Sequence, residues 1–134
     1  MPYLVGIVLS LAVAILAKSA GLDRDRAFYP TVVIVVASYG VLFAAISGSA
    51  PVLVGEALVM AAFTTVAVWG FQSSPRIVAM ALIGHGVFDV FHADMITNPG
   101  MPAWWPPFCM AYDVGAGLFM VALSRPRMTG EVRA

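Results

Sequence analysis

The chain has 134 residues, of which 61% are hydrophobic and 10% charged, and its mean hydropathy is +0.93. A water-soluble domain carries about 45–50% apolar and about 25% charged residues, so a soluble fold of this length has nowhere to hide so much apolar surface. Seven Lys and Arg balance seven Asp and Glu, which excludes the polybasic surface of a nucleic-acid binder, and a single cysteine, Cys109, excludes an internal disulfide.

The expectation is therefore an all-α integral membrane bundle, one domain over residues 1–134, in contact with the lipid bilayer. Five apolar stretches occupy residues 2–17, 30–46, 51–71, 75–91 and 106–123. Each is near the roughly 17–25 residues that cross about 30 Å of hydrocarbon as a helix. A proline opens every stretch, at Pro2, Pro30, Pro51, Pro75 and Pro106, where the first helical turn has no use for the missing N–H. Ser49 and Ser74 stand at expected N-caps, and Pro126 follows the last stretch as a stop. The first stretch has no Lys or Arg before Lys18, so it lacks the basic start of a signal peptide and reads as a retained helix.

Cations set the orientation, because short cytoplasmic loops collect Lys and Arg. With the N-terminus outside, Lys18, Arg24, Arg26, Arg76, Arg125, Arg127 and Arg133 all fall on the cytoplasmic side, as does the C-terminus. Trp104 and Trp105 then lie at the outer interface and Trp69 near the inner one. Asp23, Arg24, Asp25 and Arg26 form a self-neutralising turn. Residues 94–105, with Asn98-Pro99-Gly100 and Met101-Pro102, form a turn-rich outer loop that lies along the surface or caps a cavity. Gly115-Ala116-Gly117, and Ala57 with Ala61, supply small residues for close helix approach.

Ionisable groups inside a span are costly and mark function. Glu56 lies about five residues from the outer start of the third stretch and Asp113 about seven from that of the fifth, which gives matching depths of roughly 7–10 Å. On the fourth stretch, His85, Asp89 and His92 at i, i+4 and i+7 share a face within about 60°. No Lys or Arg is available there, so the three carboxylates need protons, imidazolium or a metal ion to balance them. Cys109, one turn before Asp113, reads as a small core residue, and Asp94 as an interfacial carboxylate.

The run Gly84-His85-Gly86-Val87-Phe88-Asp89-Val90-Phe91-His92, with Asn98-Pro99-Gly100-Met101-Pro102-Ala103-Trp104-Trp105-Pro106 and Tyr112-Asp113-Val114, resembles a group of small, functionally uncharacterised bacterial multi-pass membrane proteins. The likeness implies a multi-pass protein of the bacterial inner membrane and no particular activity. The chain is also loosely similar to membrane-embedded metal hydrolases that gather His and Asp from neighbouring helices, although the H-x-x-x-H element of several such families is absent.

Three functions are compatible with these residues. In the first, a divalent metal (Zn, Fe or Mn) sits in an outer-leaflet pocket on His85, Asp89 and His92. Glu56 or Asp113 completes the shell or acts as the catalytic general base toward an amphipathic lipid-like substrate that is hydrolysed or hydrated. In the second, the same residues form an interhelical hydrogen-bond network in a non-catalytic accessory subunit of a homo-oligomer or larger membrane complex. The third is a proton or ion carrier working through Asp89 and Asp113.

Overall fold

Five helices account for most of residues 1–24 and 26–123, which this computed structural model describes: α1 (Pro2–Ala20), α2 (Phe28–Ser47), α3 (Ala50–Ser73), α4 (Pro75–Met95) and α5 (Trp105–Leu123). No strand occurs among the described residues. Helices α1 to α4 are long and apolar enough to cross a membrane. Each expected stretch lies within one helix, and the helices run past it by a few residues, as at Ala20 and Met95. The expectations for Asp25, Arg125, Pro126, Arg127 and Arg133 fall outside the described residues.

Local chemistry explains where the helices stop. Gly21 (φ 75°) and Gly48 (φ 69°) close α1 and α2 in the left-handed region, where a Cβ would strain the backbone, and their N–H groups bond back to Ala17 O and Ala45 O. Ser74 takes up extended backbone before α4, and its hydroxyl accepts from Arg76 N at 3.3 Å. Ser49 occupies the N-cap of α3, but its side chain caps nothing; the Ser47 hydroxyl accepts from Ser49 N instead, at 3.4 Å. Ser74→Ala is therefore expected to lower stability by about 1 kcal/mol and Ser49→Ala to leave it unchanged, read as thermal unfolding in detergent.

Helix α5 lies between α1 and α4, α4 also meets α2 and α3, and α2 pairs with α3 across the tight turn at Gly48. In lipid, helices gain little from apolar burial against each other, so close backbone approach and packing decide the contacts. Gly6 of α1 fits against the Phe108 carbonyl, Ser10 of α1 against Gly115, and Gly117 against Ala79 of α4. The Gly115-Ala116-Gly117 expectation is met there. Ala57 and Ala61 are instead exposed on α3. Val33, Ala67, Val78 and Leu82 form the closed centre of the core, while Leu4, Ile7, Val8 and Ile15 of α1 and Val54 and Leu58 of α3 face outward, as bilayer-contacting side chains do.

The two ends of the bundle differ. Residues 21–24 and 26–27, the α3–α4 turn and the last turns of α5 come together around a cavity of about 190 Å³ lined by Asp23, Arg26, Gly70, Pro75 and Met120. The described cations, Lys18, Arg24, Arg26 and Arg76, belong to this end. The opposite end carries the α2–α3 turn and loop 96–104. There Trp105 packs on Tyr39 (4.7 Å between centroids) and Phe43 (5.2 Å), while Trp104 is exposed. A groove of about 440 Å³ runs between α1 and α2, walled by Leu9, Val13, Val32 and Val35 and floored by Cys109 and Tyr112.

Candidate metal centre

Helix α4 turns one face entirely inward: His85, Asp89 and His92 are 4%, 6% and 3% exposed. Phe63 and Phe88 hold the imidazoles edge to face, Phe63 on His85 at 4.7 Å and Phe88 on His92 at 5.2 Å between centroids. From there the polar groups divide into two adjoining sets.

The first set joins α4 to α5. Asp113 is wholly buried, and its Oδ2 accepts from His85 Nδ1 at 2.6 Å and from the Cys109 thiol at 3.5 Å. Asp89 Oδ2 lies 3.6 Å from the same His85 nitrogen. One ligand atom each from His85, Asp89, Cys109 and Asp113 all lie within 4.8 Å of one another. Two carboxylate oxygens in this set, Asp89 Oδ2 and Asp113 Oδ1, are buried without a hydrogen-bond partner. A buried acceptor left unpaired costs roughly 1–3 kcal/mol, so these two oxygens are places for a proton, a water molecule or an ion.

The second set joins α3 to α4 and to loop 96–104. Glu56 Oε1 accepts from His92 Nε2 at 2.8 Å and from Asn98 Nδ2 at 2.8 Å, and the Asn98 amide also donates to Gly40 O at 3.1 Å. Asn98 Oδ1 accepts from Gly100 N at 3.2 Å, which closes the loop on itself, and Gly100 seats the loop against the Phe43 carbonyl. Glu56 fits because Gly40 has no side chain; a Cβ there would stand 2.5 Å from Glu56 Oε2.

A cavity of about 10 Å³, walled by Glu56, His85, Asp89, His92, Met101 and Trp105, touches both sets. That is room for about one water molecule. All five residues singled out in the sequence are thus buried in one region, but not in one shell. His85, Asp89 and Asp113 share the first set, whereas His92 turns to Glu56 and lies outside the group of four clustered ligand atoms. Sequence reasoning passed over Cys109, read as packing, and Asn98, read as a turn residue. The available signals were the i, i+4 spacing of Cys109 to Asp113 and the idea that the Asn-Pro-Gly loop caps a cavity.

The first set fits a divalent ion chemically. It offers one nitrogen, two carboxylates and one sulfur, and the added sulfur favours Zn or Fe over the harder Mn. Two carboxylates and a Cys109 thiolate would carry one negative charge more than a divalent ion neutralises, and the described cations sit at the other end of the bundle. Ligands about 2.1 Å from a tetrahedral ion stand about 3.4 Å apart, so the 2.6 Å His85–Asp113 contact has to open by less than 1 Å on binding.

No protein-family model, curated protein or solved structure matches this chain.

Proposed function

We propose that the chain is a five-span protein of the bacterial inner membrane, N-terminus outside and C-terminus cytoplasmic, that binds a divalent metal through His85, Asp89, Cys109 and Asp113. The observation that carries the reading is the pair of buried carboxylate oxygens without a hydrogen-bond partner inside a group of four potential ligands. A purely structural network is favoured by the short His85–Asp113 and His92–Glu56 bonds; a metal ion would give the two oxygens a partner that the described hydrogen bonds do not. The ion's chemistry would be Lewis-acid activation of the water for which the adjoining cavity has room, with Glu56, which also lines that cavity, as the base. The groove between α1 and α2 reaches the centre through Cys109, which supports an amphipathic, lipid-like substrate whose tail lies among apolar side chains.

Metal binding to the folded protein alone stabilises it, by about 2.7 kcal/mol at a hundredfold excess over the dissociation constant. Adding Zn²⁺ to metal-free protein in detergent is expected to raise the unfolding temperature, and Cys109→Ser to weaken that rise. A Zn²⁺ response equal in wild type and in a His85→Ala, Asp89→Asn double variant would place the ion elsewhere.

Orientation has its own test. A cysteine replacing exposed Ala103 should react with an impermeant thiol reagent added outside the cell, and one replacing exposed Leu22 should not, Cys109 itself being buried. The reverse pattern would turn the site toward the cytoplasm.

A further inference from the structure

A metal site whose ligands are 0–6% exposed needs a way in, and the described residues offer one. The ~10 Å³ cavity is lined by His85 and Asp89 of the first set and by Glu56 and His92 of the second, and Asp89 Oδ2 has no hydrogen-bond partner. Above it, Glu56 is held by a single loop residue, Asn98, whose amide bridges Glu56 Oε1 and the Gly40 carbonyl. The charges point the same way. The end bearing loop 96–104 has the carboxylates of Glu56 and exposed Asp94, while the described Lys and Arg side chains are at the other end, so a cation approaches here without repulsion.

From this arrangement we infer that Glu56 and His92 form an entrance station for the divalent cation, closed by Asn98, from which the ion passes to Asp89 and the His85, Cys109 and Asp113 ligands. A carboxylate and an imidazole whose polar atoms are 2.8 Å apart can open into a two-donor site, one oxygen and one nitrogen, as soon as the ion replaces the proton between them. Two donors hold an ion loosely. The four-donor set below holds it more tightly, so transfer runs inward. Asn98 sets the opening rate, because Glu56 Oε1 is shared between Asn98 and His92 and the loop has to release it before Glu56 turns outward.

This inference rests on the metal reading, and one experiment separates the two. Metal-free full-length protein in detergent is mixed rapidly with Co²⁺, and the thiolate-to-cobalt absorption given by Cys109 reports arrival at the inner set. Glu56→Gln, which keeps the size and the acceptor for Asn98, is expected to slow arrival about tenfold or more while the final absorption is unchanged, since removing one charge from an entrance weakens ion capture rather than final binding. Asn98→Ala is expected to speed both arrival and release into a chelator. Arrival at the wild-type rate in both variants would overturn the entrance and leave the metal site standing. Loss of the final absorption in Glu56→Gln, with Asn98→Ala still loading fully, would make Glu56 a resident ligand and also overturn it. No cobalt absorption in the wild type would remove the metal reading and the entrance with it.

Discussion

Replacing Asp113 with Asn is expected to abolish stoichiometric binding of a divalent metal. Asp113 is the hub of the α4–α5 set: Oδ2 takes hydrogen bonds from His85 and Cys109, and Oδ1 is one of the two buried oxygens with no partner. Asn keeps the shape and one acceptor but removes the charge, and its NH₂ has to point either at the existing donors or toward the unpartnered side. Substitutions that only touch a ligand's supporting partner weaken metal binding about 10–100-fold, so loss of a ligand carboxylate should exceed about 100-fold. Asp94→Asn, on the same end but exposed, is the control and should bind metal as the wild type does. Equal metal affinity in Asp113→Asn and wild type, measured by competition with a chelator, would remove Asp113 from the centre.

The second large effect separates two glycines that are alike on paper. A Cβ on Gly86 would meet Val114 Cγ2 at 2.9 Å, the Met110 carbonyl oxygen at 3.0 Å and Asp113 Cβ at 3.4 Å, whereas a Cβ on Gly84 would meet nothing within 4 Å. A backbone carbonyl cannot turn aside as a side chain can, so Gly86→Ala has to push α5 away from α4 at the level of Asp113. Overpacking of this kind costs about 1–3 kcal/mol. Gly84→Ala should be neutral or stabilising by about 0.5–1 kcal/mol, through the lower backbone entropy of Ala in a helix. Unfolding temperatures in the same detergent read both; a Gly86→Ala protein as stable as Gly84→Ala would mean that α4 and α5 do not pack this closely.

The contrast between those glycines also shows what the chain of letters conveys. The helices were legible because proline starts, apolar runs of near-membrane length and the loop cations agree with one another. The inward face of α4 was legible from the i, i+4, i+7 spacing of His85, Asp89 and His92. What angle alone does not carry is depth. Seven residues advance about 10 Å along a helix, so His92 shares a face with His85 yet meets a different helix, and Glu56 of α3 takes it. Cys109 was hidden because a lone cysteine in an apolar run is ordinary packing until a neighbouring helix brings His85 and Asp89 to it. Asn98 was hidden for a related reason: its role depends on Gly100 lying flat against Phe43, a contact between segments more than fifty residues apart. The glycines at 84 and 86 differ only in which one faces α5, and nothing local in the sequence marks that.

Both sets of polar groups gain their meaning from whether an ion belongs between His85, Asp89, Cys109 and Asp113, and elemental analysis of detergent-purified wild-type protein tests this most directly. The structure leads us to expect close to one Zn or Fe per chain, lost in a His85→Ala, Asp113→Asn double variant that remains folded. Metal at background level in carefully prepared wild-type protein, with no gain after incubation with Zn²⁺, Fe²⁺ or Mn²⁺, would contradict the account and leave the cluster as an interhelical hydrogen-bond network.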